Sequence, residues 1–129
     1  MKEIICNGEI NISDLLKVNA MLDNAIAVAS SSLEKTGAIK YFEYSYELSW
    51  KTMVRILKLK KIEARNPKDA FREAAKAKLI SNFDTWSSFI AKRNKTSDAY
   101  NSELAEEIFN FLPEFQAEAA LFMKNIQKL

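Results

Sequence analysis

Apolar residues recur with the period of an α-helix through most of this 129-residue chain, and no other feature limits the fold as strongly. The longest stripe lies toward the C-terminus, with side chains mostly three or four positions apart: Leu104, Ile108, Phe111, Leu112, Phe115, Ala119, Phe122 and Ile126. Since this stripe occupies one helix face, other helices must cover it. The two glycines and two prolines are too few for a turn-dense β-sandwich. We therefore expect an all-α protein.

Capping residues and interruptions of the stripes predict five helices: about 13–32, 38–61, 67–78, from a cap within 81–84 to about 97, and from 102 onward. The strongest signal is Asn66-Pro67, a capping side chain followed by proline at the first helical position. The Ser30-Ser31-Ser32 cluster and Gly37 are expected to separate the first two helices, and Pro113 to kink or split the last one. Short connections favour antiparallel neighbours, so the predicted architecture is an antiparallel up-and-down bundle of four or five helices.

Residues 1–12 differ in pattern from the rest of the predicted single domain, which spans residues 1–129. Asn7-Gly8 lies between two short apolar runs, which is typical of a β-hairpin with a type I′ turn. A frayed N-terminal arm is the alternative. Because an isolated hairpin is marginal in water, it would need a surface to pack against, for instance a second subunit.

The chain contains no histidine and a single cysteine, Cys6. Nucleophile pairs of the Ser–His or Cys–His type and multi-cysteine metal sites are therefore excluded. We expect no metal and no cofactor. No apolar run approaches the roughly 20 residues of a membrane span, and the N-terminus lacks a signal-peptide pattern. These features predict a cytoplasmic protein without a membrane partner.

The net charge of +2 conceals an uneven distribution. Residues 51–78 hold ten basic residues against three acidic ones, an excess of seven positive charges. This segment is either a docking surface for phosphate, nucleic acid or an acidic protein, or an ordinary solvated pair of helix faces. Phe71 alone interrupts it, so the interleaved aromatics of a single-strand-binding platform are missing.

The second predicted helix carries more aromatic residues than one core-facing stripe can use: Tyr41, Phe42, Tyr44, Tyr46 and Trp50. Some of these side chains must therefore pack against several neighbouring helices, or lie at a crevice or a second interface. We expect a homodimer whose interface uses part of this aromatic surplus together with the segment around Arg93.

Arg93 follows Phe89 by four residues and Ile90 by three, so the helical period turns it toward the bundle. A partly buried guanidinium needs a partner, and Glu43 and Glu47 are the candidates. Glu47 also has Lys51 at i+4, a common surface pair. The polar stretch that follows Arg93 either ends the helix or, together with the Tyr100 phenol, converges on a phosphate or ribose.

At these residues the chain resembles the nucleotidyltransferase substrate-binding protein family, within the wider HEPN group of helical bundles. The matching segments keep their order across roughly residues 13–112: residues 42–51, 70–74, 79–80, Trp86, 93–97 and Tyr100. The resemblance implies a dimeric bundle, encoded beside a minimal nucleotidyltransferase, that completes the substrate cleft of that enzyme. The residues it implies for binding are Glu43, Tyr46, Glu47, Trp50, Lys51, Arg93, Asn94, Thr96 and Ser97.

In related toxin–antitoxin pairs the bundle is a ribonuclease, whose motif is an arginine, four to six residues and then a histidine. The partner nucleotidylates a tyrosine two places later. Carried over, Arg93 matches the arginine and Tyr100 the modified tyrosine, but Asp98 stands at the histidine position. An ionised aspartate repels the scissile phosphate and does not shuttle a proton as imidazole does, which weighs against an enzyme.

Three functions are therefore compared. The leading hypothesis is a non-catalytic binding subunit of a two-component nucleotidyltransferase, in contact with a nucleotide or RNA. The alternative is a HEPN-type ribonuclease toxin, in which Arg93 and Asp98 would be the catalytic residues. The third is a structural interaction bundle with no connection to nucleotides.

Overall fold

The computed structural model describes residues 2–129 and confirms the all-α antiparallel bundle with a short N-terminal hairpin. Its elements, in chain order, are β1 (Ile4–Ile5), β2 (Ile10–Asn11), α1 (Ser13–Val28), α2 (Ser32–Leu59), α3 (Pro67–Lys76), α4 (Phe83–Lys95), a 3₁₀-helix (Thr96–Asp98) and α5 (Ser102–Ile126). The longest helix, α2, packs against α1, α3 and α5. Helix α4 completes the bundle by packing against α3 and α5.

Aromatic rings fill the centre of the bundle and fix the position of α4. Phe42, Trp86, Phe89 and Phe115 are fully buried. Phe42 and Phe115 meet edge to face with ring centroids 4.9 Å apart, and Trp86 meets Phe89 at 5.2 Å. Such edge-to-face pairs stabilise a fold beyond the area that they bury. Trp86 and Phe89 hold α4 in register. Arg93, one turn after Phe89, therefore has a defined position on the bundle.

The boundary between α1 and α2 differs from the prediction. Helix α1 ends at Val28, and α2 begins at Ser32 rather than near residue 38, so that Gly37 lies inside the helix. The cause is a capping box: the Ser31 hydroxyl accepts from the Glu34 N–H at 3.1 Å, and the Glu34 carboxylate accepts from the Ser31 N–H at 3.0 Å. These hydrogen bonds stabilise the helix start and offset the cost of about 1 kcal/mol for an interior glycine.

Pro113 does not split the last helix, contrary to one of the two outcomes expected for it. Helix α5 runs without interruption from Ser102 to Ile126, with Pro113 inside it. Phe111 and Phe115, on either side of the proline, are both buried in the same core. Packing on both sides therefore holds the helix together where one backbone hydrogen bond is missing.

The N-terminal residues form the predicted hairpin. Ile5 pairs with Ile10, and the turn has φ of +55° at Asn7 and +91° at Gly8, closed by a 3.1 Å hydrogen bond from the Glu9 N–H to the Cys6 carbonyl. Positive φ at both central residues is the signature of a type I′ turn. The surface that the hairpin was expected to need is the chain's own core rather than a second subunit, because Ile5 and Ile10 are buried in it.

Two helices end in the same motif, with a lysine where glycine is usual. At the end of α2 the Ile62 N–H donates to the Leu57 carbonyl at 2.9 Å, and Lys61 has φ of +62°. At the end of α3 the Leu79 N–H donates to the Ala74 carbonyl at 2.9 Å, and Lys78 also has φ of +62°. Both are Schellman motifs. They end α3 at Lys76, slightly before the predicted boundary.

None of the helices within residues 2–129 combines the length and the apolar character that a membrane span requires.

Candidate functional site

Arg93 lies in the last turn of α4 and points toward α2, as predicted. Its Nη1 donates to the Thr96 Oγ1 at 2.9 Å, and its Nη2 lies 4.0 Å from the Glu43 Oε2. The Thr96 hydroxyl in turn donates to the Arg93 carbonyl at 2.7 Å, which orients its lone pairs toward the guanidinium. Thr96 is buried, so the guanidinium is held by a fixed hydroxyl and a nearby carboxylate.

The guanidinium of Arg93 retains unused hydrogen-bonding capacity. Its Nε is buried and has no hydrogen-bond partner among residues 2–129. The separation of 4.0 Å from Glu43 is longer than a charge-assisted hydrogen bond, while the side chain is 30% exposed. A partly desolvated cation whose donors are not all used attracts an anion, and a guanidinium fork fits a phosphate or carboxylate. Within the part of the chain that the structure describes, the Arg93 guanidinium is therefore only partly paired.

Glu47, the other candidate partner of Arg93, belongs to a separate group one turn further along α2. Its carboxylate lies 3.7 Å from the Lys51 Nζ and accepts from the Trp50 Nε1 at 3.3 Å. The Lys51 ammonium also lies 5.9 Å from the centre of the Trp50 ring. These three residues form a cluster of their own, and none of them contributes to the contacts of Arg93 with Glu43 and Thr96.

Tyr46 is a core residue. Its ring is buried and lies 6.0 Å from that of Phe71. Burial, with a smaller contribution from the negative charge of Glu47, raises the pKa of Tyr46 to about 12, while the positive charge of Arg93 acts in the opposite direction. The phenol is therefore neutral at physiological pH, and in this conformation it is not exposed to a ligand.

The stretch after Arg93 folds as the turn between α4 and α5. Asn94, Ser97 and Asp98 are exposed, and the Ser97 hydroxyl donates to the Asn94 carbonyl at 3.2 Å. Tyr100 is 88% exposed. The structure therefore brings Arg93, Thr96 and Glu43 together and leaves Asp98 and Tyr100 in solvent beside them.

An open cleft of about 360 Å³ lies next to this group, between the first half of α2 and the start of α5. Glu43, Thr96, Ser97 and Tyr100 line it, together with residues not predicted from the sequence: Lys35, Lys40 and Glu106. Lys35 pairs with Glu106 at 2.9 Å, and Lys40 lies 3.5 Å from Glu43. We call Arg93, Thr96, Glu43 and this cleft the Arg93 site.

Lys35 was missed because the predicted start of α2 lay beyond it. The signal that could have found it is Ser31-x-x-Glu34, which is a capping-box pattern. Among residues 2–129, no group of three or more acidic or cysteine side chains is placed to hold a metal ion.

Comparison with known proteins shows the family of this chain. The nucleotidyltransferase substrate binding protein like family matches residues 10–128. A Haemophilus influenzae protein named as the probable ribonuclease HepT is 33% identical over 97 residues, which cover 71% of this chain and 66% of that protein. The chain thus spans just under two thirds of the length of this relative.

Two solved structures share the fold. A Haemophilus influenzae protein, described as having the fold of a substrate binding domain of a nucleotidyltransferase, superposes with a TM-score of 0.81 at 27% identity, covering 91% of this chain and 99% of its own. A Thermus thermophilus protein gives a TM-score of 0.81 at 27% identity over 87% of this chain and 98% of its own. The chain, with its HEPN-like helical bundle, belongs to the nucleotidyltransferase substrate binding protein like family.

Proposed function

We propose that this protein is the non-catalytic binding subunit of a two-component nucleotidyltransferase. In this proposal a dimer of the bundle docks a minimal nucleotidyltransferase, encoded nearby, and completes its substrate cleft in the cytoplasm. The observation that carries the proposal is the Arg93 site, in which a half-paired guanidinium lies beside an open cleft rimmed by an exposed tyrosine. The family match and the solved relative described as a substrate binding domain support it.

The site supplies binding and positioning rather than acid–base catalysis. Arg93, beside the cleft, would hold a phosphate of the nucleotide, and Lys40 would add positive charge from the lining of the cleft. Asn94 and Ser97, exposed beside it, offer an amide and a hydroxyl for further polar contacts. Glu47, Trp50 and Lys51 extend this surface along α2. The nucleotidyltransferase would supply the metal ions that phosphoryl transfer requires.

Tyr100 is the proposed acceptor in this chain. Its phenolic oxygen would attack the α-phosphorus of a nucleoside triphosphate. The new bond joins that oxygen to the α-phosphorus, the bond between the α-phosphorus and its bridging oxygen breaks, and pyrophosphate leaves. The phenolic proton passes to a base on the partner. Exposure of 88% gives the ring the access that such a reaction needs.

The dimer would use aromatic side chains of α2 that the core leaves partly uncovered. Tyr41 and Trp50 are half-buried and Tyr44 is 49% exposed, so three of the five clustered aromatics lie partly or wholly outside the core. Apolar surface of this kind is more costly in a monomer than in a dimer. Light scattering of the purified chain at micromolar concentrations should give the mass of a dimer, and a monomer would count against this part of the proposal.

Co-purification tests the proposal as a whole. The chain, tagged and expressed together with the product of the neighbouring gene, should retain that product through gel filtration. The variant Arg93→Ala should weaken the binding of added nucleotide by the complex. The variant should still fold, because Arg93 is partly exposed. Lys17→Ala on α1 serves as the control. A neighbouring product that never associates with the chain would contradict the proposal.

A ribonuclease is the second candidate, favoured by the relative that is named a probable ribonuclease. Asp98, at the position of the motif histidine, is exposed and lies at the end of the 3₁₀-helix. We expect the unmodified chain to leave single-stranded RNA intact and Asp98→His to move it toward cleavage, because imidazole can carry both a proton and a positive charge. Strong cleavage by the unmodified chain, abolished by Arg93→Ala, would favour the ribonuclease instead.

A further inference from the structure

The positive charge of residues 51–78 is not spread evenly over the surface. Four of the ten basic residues pair with a carboxylate: Lys51 with Glu47, Arg65 with Glu63, Arg72 with Asp69 and Lys76 with Glu73. The others have no ion-pair partner within residues 2–129. Four of those lie close together at the end of α2, and we call them the basic end: Arg55, Lys58, Lys60 and Lys61. The unbalanced charge is therefore concentrated at one end of one helix.

An apolar depression adjoins the basic end. A surface cavity of about 420 Å³ is lined by Val54, Ile62 and Ala64, with Lys58 and Lys61 on its wall. The Schellman motif that ends α2 creates it, because the left-handed turn at Lys61 folds Ile62 back against the helix. Glu63 also lines the cavity, but its carboxylate accepts from the Arg65 Nε at 3.2 Å.

The chemistry of this cavity distinguishes between two kinds of anionic partner. Single-stranded nucleic acid is held by cations together with aromatic rings on which the bases stack, and no aromatic side chain lines the cavity. A phosphate backbone offers no apolar group to pack against the aliphatic side chains of Val54, Ile62 and Ala64 in this cavity. An acidic protein segment that carries an aliphatic side chain fits both features, with its carboxylates on the lysines and its side chain on the apolar floor of the cavity.

We propose that the basic end and this cavity form a docking surface for an acidic segment of a partner protein, anchored by an aliphatic side chain. This surface is separate from the Arg93 site. Lys58 follows Lys40, which lines that site, by eighteen residues on the same helix, about 27 Å along its axis. A partner segment bound at this distance does not occupy the cleft beside Tyr100. Docking of the partner and modification of Tyr100 would therefore use different ends of α2.

Fluorescence anisotropy with defined probes tests the proposal on the full chain. The probes are a labelled short peptide of repeating Glu-Glu-Leu, an all-glutamate peptide of equal charge, and an oligouridylate of equal charge. The Glu-Glu-Leu peptide should bind most tightly. The double variant Lys58→Gln/Lys61→Gln should weaken its binding about tenfold, and raising the salt from about 0.1 M to about 1 M should do the same as the Debye length shrinks from about 10 Å to about 3 Å.

The control is Lys17→Gln/Lys124→Gln, which removes the same charge from α1 and α5 and should leave peptide binding unchanged. Glutamine at positions 58 and 61 avoids placing an acid at a helix C-terminus, so the double variant should fold as the unmodified chain does. Three results would overturn the proposal: no peptide binding, peptide affinity indifferent to the double variant, or tighter binding of the oligouridylate that the double variant abolishes. The last would identify a phosphate-binding surface. None of these results depends on a nucleotidyltransferase.

Discussion

The two ends of α2 carry charge in opposite ways. Toward its N-terminal end, Lys35, Lys40 and Glu43 each face a partner of opposite charge, and Arg93 from α4 is held by a buried hydroxyl. Toward its C-terminal end, the cations of the basic end are exposed and have no carboxylate partner within residues 2–129. At the N-terminal end, ion pairs and hydrogen bonds hold the charged side chains in fixed positions, as the recognition of one particular ligand group requires. At the C-terminal end, the charge acts at longer range and suits attraction of a partner.

The aromatic framework behind the Arg93 site should give the largest effect. Phe89 is fully buried one turn before Arg93 and meets Phe115 with ring centroids 5.3 Å apart. Phe89→Ala should lower the free energy of unfolding by about 3–5 kcal/mol, because it leaves a cavity among packed rings. Urea denaturation measures this change. Tyr44→Ala, at a site 49% exposed, is the control and should cost far less. Equal losses would mean that the buried ring of Phe89 contributes no more to stability than an exposed ring does.

The capping box that starts α2 should give the next largest effect. Ser31→Ala should cost about 1 kcal/mol near neutral pH, because it removes the hydroxyl that accepts from the Glu34 N–H. Ser32→Ala, one residue later and without a cap bond, should change stability little. A comparable loss in both variants would show that the cap does not determine where α2 begins.

The stability of the unmodified chain should also respond to acid through this cap. Hydrogen bonds from the Ser31 backbone and hydroxyl, followed by those from Ser30, lower the pKa of Glu34 from 4.5 to about 2. The pKa of Glu34 is lower in the folded state than in the unfolded state. The contribution of its carboxylate to folding stability is therefore present above about pH 4.5 and is lost as the pH falls toward 2. Urea denaturation across this range should find the difference between the unmodified chain and Ser31→Ala shrinking. A constant difference would contradict the assignment.

The two Schellman lysines should give a smaller effect of opposite sign. Lys78→Gly and Lys61→Gly should each raise stability by up to about 1 kcal/mol, because glycine adopts a φ of +62° without the steric penalty of a side chain. Lys58→Gly, inside α2, should lower stability by about 1 kcal/mol. Thermal denaturation of the three variants checks the signs. A stabilising Lys58→Gly would show that charge repulsion at the basic end outweighs helix propensity.

Neutralising the basic end should have the smallest effect on stability. Lys58→Gln/Lys61→Gln removes two exposed charges without an ion-pair partner within residues 2–129, so the free energy of unfolding should change by under about 0.5 kcal/mol per substitution. Thermal denaturation in low salt measures it. A larger loss would mean that these lysines serve mainly to stabilise the end of α2 through the helix dipole, as cations at a helix C-terminus do.

The sequence was sufficient for features that depend on local chemistry. The helical period predicted the five helices, Asn66-Pro67 the start of α3 and Asn7-Gly8 the turn of the hairpin. The direction of Arg93 toward the bundle followed from its spacing to Phe89. In each case neighbouring residues determine the outcome, so tertiary contacts had little to change.

Features that depend on competition between signals were not predictable in this way. Gly37 and Pro113 both indicate helix interruption, and packing or a capping box outweighed each of them. The choice of Glu43 rather than Glu47 as the partner of Arg93 depends on the rotation of α2 against α4, which no local pattern specifies. The cleft beside Tyr100 and the cavity beside Lys58 likewise exist only once helices meet or turn back.

The most direct test of the central proposal is mass spectrometry of the chain after incubation with the purified neighbouring nucleotidyltransferase, nucleoside triphosphates and Mg²⁺. The proposal predicts a nucleotidyl adduct on the peptide containing Tyr100. That adduct should disappear in Tyr100→Phe and persist in Tyr44→Phe, which removes another exposed phenol. A nucleotidyltransferase that binds the chain and leaves Tyr100 unmodified, or modifies Tyr44 instead, would contradict the assignment of the Arg93 site as the place where the two proteins act together.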